Sequence, residues 1–389
     1  MDLPVDGGGS ETVAAASECE KMIINRATQQ HWVPQMYMRN WCAERGLYVA
    51  DKLTGRILPN QNPRNFAQER SFYSYVDLNP DELKRLVERT YESFPIGIEL
   101  IDKMLAVMVL NVLRFRAEKQ DWNDDYEDVF ASVKPRLRFS EMQEEAYSTF
   151  YEIASRRISL PHAEIEILSK ITANGFEDYH CAIESGAKKL LDLANGSDLS
   201  FLKNDQHQAM YFYVYLYDQF FRSKKYLKML ENNNLEIRHK VGATNAVARN
   251  IRYFLPVYYY FLSMRAKNRR KMAVIKNALP LGFVTSDAPI VLKGGLEDEL
   301  PECLYFPLSP SAVVVYGSRK TVNKTISLIG RTIRDDKVVA NLNQQIFEQS
   351  DRFVFAASRQ SLEELLRRNS VTESRDAAPC DKVDVVRSE

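Results

Sequence analysis

The chain has 389 residues, 45% hydrophobic, 27% charged and 11% aromatic, an ordinary globular composition with a surplus of Tyr and Phe. Its 52 Lys and Arg balance 52 Asp and Glu, so no overall field recruits a nucleic acid or a membrane, and any such attraction must be local. Five scattered cysteines without a Cys-x-x-Cys pair exclude a disulfide framework and a zinc ribbon, and the five histidines form no His-x-x-x-His pair.

In chain order, residues 1–20 read as a disordered N-terminus. They are Gly- and Ala-rich and acidic, without the basic-then-apolar pattern of a signal peptide, so a cytoplasmic protein is expected. Residues 21–78 read as an N-terminal motif and a hairpin packing on a sheet. Within them 23–41 form a helical entry, and the runs 47–50 and 56–58 flank a turn in which Gly55 supplies the positive φ. Residues 79–281 read as a helical lobe, opened by Asn79-Pro80-Asp81-Glu82: a cap, a first-turn proline and acids at the positive end of the helix. Helices are predicted over 80–93, 96–119, 141–157, 161–172, 178–193, 205–232 and 241–275, with an acidic loop at 121–128. The apolar run 101–113, broken by Asp102, Lys103 and Asn111, is too short to span a bilayer. Residues 282–368 read as a small β-rich lobe with helices, having strands in 283–292, 303–307, 312–316, 325–329 and 352–356 and helices over 335–349 and 361–368. Residues 369–389 have the composition of a disordered tail. The expected fold is therefore α+β, a large helical lobe with a small antiparallel sheet formed mainly by the C-terminal third.

The chain is organised around 282–293, where two apolar runs flank Thr285-Ser286-Asp287-Ala288-Pro289. Pro289 cannot donate to a sheet ladder and holds Ala288 extended, so the strand must break there. Asp287 at such a break is either a turn former or an acid at a sheet rim. Ser286 lacks a Gly-x-Ser-x-Gly elbow, and a Thr-Ser-Asp turn accounts for its hydroxyl.

These motifs together resemble the mostly bacterial domain-of-unknown-function family 4238. They are His31-x-Val-Pro-Gln35-x-Tyr37-x-Arg39-Asn40, Gln219-x-x-Arg222, Phe283-Val-Thr-Ser-Asp287-x-Pro289, Phe306-Pro-Leu-Ser-Pro310 and Asn341-x-Asn343. The resemblance runs from about residue 28 to 358. The chain departs from it in having Gln30-His31 where the family often has two histidines, and Trp41 where an apolar residue is usual. The resemblance implies an architecture and a residue set, and a place in mobile or defence-associated loci, but no reaction.

His31 titrates near neutrality and suits general acid–base work, or it pins the N-terminal segment to the core through its backbone. Gln219 and Arg222 share one face of an aromatic, apolar helix, so Arg222 must be paired or face a ligand. Asp287 is its expected partner, either as a structural clamp or as an orienting acid beside a guanidinium that waits for phosphate or carboxylate. Asn341 and Asn343, two apart, cannot share a helix face; Asn343 is expected on a ligand or on the 285–287 turn. From Arg222 to Lys276 fourteen Lys and Arg stand against Glu231 and Glu236, a local charge of +12 interleaved with Tyr253, Phe254, Tyr258, Tyr259, Tyr260 and Phe261. Such a segment suits single-stranded or structured RNA, or else docks on the acidic stretches, and Arg269-Arg270-Lys271 is its part least explained by packing. No phosphate loop, dinucleotide fingerprint or His-Glu-x-x-His is present, which argues against common nucleotide hydrolysis and zinc peptidase chemistry.

The sequence thus leads to the expectation of a hydrolase, a nuclease acting on RNA or single-stranded nucleic acid, as a bacterial antiviral-defence or toxin component. His31, Arg222 and Asp287 are its catalytic candidates. Gln35, Arg39, Gln219, Ser286, Asn343, Arg269, Arg270 and Lys271 are its substrate-binding candidates, with no metal site assigned and the cofactor unknown. His31, Gln35, Arg222, Asp287 and Asn343 are expected to converge between lobes, where clefts bind ligands. The alternative is a non-catalytic sensor or partner-binding component of a multi-protein system. No membrane partner is expected.

Overall fold

The chain folds as α+β, with helices through its middle and strands gathered from its two ends. The computed structural model describes residues 29–43, 46–70, 77–93, 99–156, 162–232, 250, 252–294 and 300–376. Two units divide it: a helical one of Met1–Pro34, Ala67–Leu193 and Asp198–Asn268, and a β-rich one of Gln35–Phe66, Ala194–Ser197 and Arg269–Glu389.

In the helical unit, Glu99–Lys119 is apolar nearly all round and buries Met104 through Leu110, so neighbours must cover it on every side. The helix Glu141–Arg156 packs along it. Asn79 and Glu82 form a reciprocal capping box at the head of Pro80–Ser93: each side chain accepts from the other's backbone N–H, both at 3.0 Å. The helix His162–Asn195 is 34 residues long, and the aromatic helix Gln206–Phe221 packs against Leu255–Arg265. Strand β1 (Gln29–His31) pairs antiparallel with β4 (Gln68–Arg70).

In the β-rich unit, the hairpin β2 (Leu47–Asp51) and β3 (Arg56–Gln61) pairs antiparallel with the late strand β11 (Phe353–Ala356), which pairs in turn with β6 (Thr285–Ser286). A second, five-stranded sheet has the order β10-β5-β9-β8-β7. It is built from β5 (Arg270–Asn277), β7 (Val291–Lys293), β8 (Cys303–Ser309), β9 (Ala312–Ser318) and β10 (Thr332–Ile333). It is antiparallel except where β10 runs parallel to β5. Strands β8 and β9 are buried along almost their whole length, because the helices Arg319–Ile329 and Asp336–Gln349 cover parts of this sheet. Gly55 has φ +66° at the hairpin turn, as its position required.

Several elements differ from the sequence reading, each for a physical reason. The helices predicted over 161–172 and 178–193 are one, because Gly175 is not a breaker. A Cβ there would lie 2.6 Å from Val107 Cγ2, so the glycine admits a close helix–helix approach. Residues 270–275, placed at the end of a helix over 241–275, fall in β5, where Val274 and Ile275 fit a pleated, half-buried surface. Residues 325–329, read as a strand, end the helix Arg319–Ile329, which Ser318 caps by accepting from Thr321 N. The acidic 121–128 stretch is mostly the start of the helix Asp124–Val133, capped by Asn123. The last helix, Arg359–Asp376, runs past the expected start of the tail. The calls on 1–20, on 233–249 within the basic segment and on 377–389 lie outside the described residues.

Candidate functional site

The sequence candidates fall in both units. His31, Gln219 and Arg222 belong to the helical unit; Gln35, Arg39, Arg269, Arg270, Lys271, Ser286, Asp287 and Asn343 belong to the β-rich one. The N-terminal motif is itself divided after Pro34. His31 is half-buried at the end of β1, opposite Gln68.

The β-rich candidates hold backbone. Asp287 accepts from the amides of Asp351, Arg352 and Phe353, each at 2.8 Å, tying the end of the helix Asp336–Gln349 to the start of β11. Burial pushes its carboxyl up to about 6 against the pull of those amides, so it is ionised at neutral pH. Arg222 was its expected partner; the structure gives each of the two other partners. Asn343 is buried with Oδ1 accepting from Val284 N at 2.9 Å and Nδ2 donating to Gly282 O at 3.0 Å, while Asn341 is exposed, as their spacing required. Ser286 Oγ accepts from Ala288 N at 3.2 Å in the expected turn. Tyr37 donates to Pro307 O at 2.7 Å and meets Thr285 Oγ1 at 2.6 Å, and Trp41 Nε1 donates to Phe283 O at 3.0 Å. The second half of the N-terminal motif is therefore a clamp on β6 and β8. Gln35 is half-buried at the head of the short helix Gln35–Met38, and Arg39 is exposed. Arg270 donates to Pro301 O and lies 4.8 Å over the Tyr316 ring, and Lys271 Nζ donates to Asn323 Oδ1 at 2.8 Å. Arg269 is exposed.

The helical unit holds a different arrangement. His180 Nδ1 lies 3.1 Å from Asp218 Oδ1, and Arg222 Nη1 lies 3.2 Å from Asp218 Oδ2. One carboxylate thus bridges an imidazole and a guanidinium. Arg222 Nη2 also donates to Glu184 Oε1 at 3.0 Å. The His180 and Arg222 side chains are 3% and 2% exposed, whereas Glu184 is 24% exposed and gives the cluster its edge toward water. Arg252 donates to Tyr253 OH at 2.6 Å and lies over that ring, which stacks on Phe176 at 4.4 Å. Gln219, fully buried on the next residue, has no hydrogen-bond partner for either side-chain atom among the described residues.

Charge follows from this packing. Burial pushes the His180 imidazole below its ordinary range, with Asp218 pulling the other way, so it is neutral at pH 7. For Asp218 burial raises the carboxyl, but the facing His180 and the Arg222 and Arg252 guanidiniums outweigh it and hold it below the usual range. A neutral imidazole whose Nδ1 faces an ionised carboxylate keeps Nε2 as a proton acceptor. His180, Glu184, Asp218 and Arg252 escaped the sequence reading. Their signal was two charged pairs four residues apart, His180/Glu184 and Asp218/Arg222, each on a helix otherwise rich in apolar side chains. Among the described residues no group of three or more His, Cys, Asp or Glu is arranged to hold a metal ion, and no helix is long and apolar enough to cross a membrane.

Comparison with known proteins matches residues 29–95 and 146–360 to the model of one family, described as a protein of unknown function (DUF4238). No curated protein and no solved structure matches the chain. The matched residues are well over half of the sequence and include the His180–Asp218–Arg222 cluster as well as Asp287 and Asn343. The chain belongs to the DUF4238 family.

Proposed function

We propose that the protein is a phosphodiester hydrolase acting on RNA or single-stranded nucleic acid, with its chemistry in the helical unit at His180, Asp218 and Arg222. The observation that carries this reading is the single buried carboxylate shared by an imidazole and a guanidinium. His180 Nε2 takes the proton of the attacking hydroxyl, a substrate 2′-OH or a water, and returns one to the leaving oxygen. Asp218 fixes the imidazole tautomer and stabilises the imidazolium that forms. Arg222, with Arg252 near it, stabilises the charge that grows on the phosphoryl oxygens. The amide of Gln219, without a partner among the described residues, is available to a ligand, since a buried amide without a bond is costly and needs a reason. His31 and Asp287, the catalytic candidates of the sequence, have no step in this scheme.

The test is cleavage of labelled RNA and single-stranded DNA by purified protein. His180→Ala should lower the rate by about 10²–10⁴-fold in protein that circular dichroism shows to be folded, with a lower melting temperature because Asp218 loses a buried partner. A wild type without cleavage overturns the proposal, and a fully active His180→Ala moves the centre elsewhere. A second reading, a non-catalytic partner-binding module, is favoured by the backbone-holding roles of Asp287 and Asn343. It predicts that Arg222→Ala lowers the melting temperature sharply and that no variant changes a reaction rate.

A further inference from the structure

The β-rich unit carries cations that folding does not use. The antiparallel register of β5 and β9 sets Arg270 opposite Ser318 and Lys271 opposite Gly317, and Arg319 N donates to Arg269 O at 2.9 Å. That register brings Arg269 and Lys271 to the head of the helix Arg319–Ile329, which itself bears Arg319, Lys320 and Lys324. Arg331 follows where the chain returns to β5, its carbonyl accepting from Lys276 N. From Arg319 to Arg334 the sequence has five cations and no Asp or Glu. Arg269, Arg319, Lys320, Lys324 and Arg331 are exposed, and none of them has a carboxylate partner among the described residues. Glu302, bonded by Thr321 Oγ1, is the acid at the edge of the row.

The placement works against the helix. Pro80–Ser93, Glu99–Lys119, Asp124–Val133 and Glu141–Arg156 all put acids in their first turns, where the helix dipole favours them. Arg319–Ile329, like Lys224–Asn232, has none there and begins with two cations. An anion lying across this end relieves both the cation crowding and the dipole.

Resting on the nucleic-acid reading above, we infer that the exposed face of the helix Arg319–Ile329, with Arg269, Lys271 and Arg331, is the track that holds the phosphodiester backbone of a single nucleic-acid strand. Arg319, Lys320 and Lys324 lie in the first two turns of a helix of 11 residues, within about 8 Å along its axis at the ordinary rise, with Arg269 and Lys271 at its head and Arg331 just past its end. One row of charge fits one strand. Val322 is buried while Leu328 is exposed, and the helix itself has no aromatic residue to stack a base. Binding is therefore by phosphate alone, indifferent to base sequence and to ribose or deoxyribose.

The experiment is fluorescence anisotropy of labelled single-stranded RNA and DNA of mixed sequence against the full chain over a range of salt. The triple variant Arg319→Glu/Lys320→Glu/Lys324→Glu, all exposed positions, is checked for an unchanged melting temperature. Wild type should bind both polymers alike, and the variant should bind at least about tenfold more weakly, with a log K–log salt slope shallower by about 2. Wild-type binding that the variant retains with the same slope overturns the track and leaves the hydrolase reading standing. No binding by wild type overturns both. Wild type that prefers vesicles of anionic phospholipid to either polymer, and loses them in the variant, overturns the nucleic-acid assignment of this face.

Discussion

Asp287 shows what one carboxylate does when three backbone amides converge on it. Removing it in Asp287→Ala takes the acceptor from the N–H groups of Asp351, Arg352 and Phe353, at a cost of about 2–5 kcal/mol in the free energy of chemical unfolding. Its pH behaviour has a defined sign. The folded carboxyl is pushed up to about 6, above its ordinary value, so the folded chain keeps its proton where the unfolded chain has released one. Between about pH 4 and pH 6 this group therefore removes roughly 2–3 kcal/mol of stability as pH rises, and the loss is complete above the folded pKa. Asp287→Asn should flatten that part of the stability–pH curve relative to wild type, and an unchanged slope contradicts the assignment. The sequence singled out Asp287, Arg222 and Asn343, and each is buried with polar partners. It misassigned partners, since a carboxylate reaching backbone amides 64 to 66 residues away leaves no local pattern. Asn343 was legible because two asparagines two apart cannot both face a core.

At the scale of elements, helices with strong start signals and the hairpin at 47–61 were readable from capping residues and alternation. Two differences fall at a glycine and at a strand. Gly175 lies within a continuous helix, and its lack of a side chain serves a contact with Val107. Gly175→Ala should gain about 1 kcal/mol of helix propensity and lose more to overpacking, about 1–3 kcal/mol, giving a lower melting temperature. Combining it with Val107→Ala should cost less than the sum of the two single changes, measured as a double-mutant cycle. Strict additivity would mean that the two helices do not meet there. The run from Arg270 to Ile275 reads as the end of a helix over 241–275 and is a strand. Its β-branched pair needs the partner strand β9, more than thirty residues away, to settle the matter.

For the whole molecule, the informative fact is that neither unit is a continuous stretch of chain. The sheet β3-β2-β11-β6 takes its first two strands from the beginning of the sequence and its last two from the end. A fragment of residues 269–389 should therefore lack a cooperative unfolding transition, because β11 loses the partner that covers one of its edges. Supplying residues 35–66 in trans should restore the transition, seen by circular dichroism on heating. The helical unit, in turn, carries the central claim. Its His180 is held neutral by burial and faces Asp218, so RNA cleavage should be level from alkaline pH down through about 6.5, the ordinary value of an imidazole, and fall only in more acidic solution. The most direct measurement is that rate–pH profile for purified wild type beside His180→Ala. The account predicts a plateau with an acid limb that the variant lacks, and it is contradicted by absent cleavage or by a limb that persists without the imidazole.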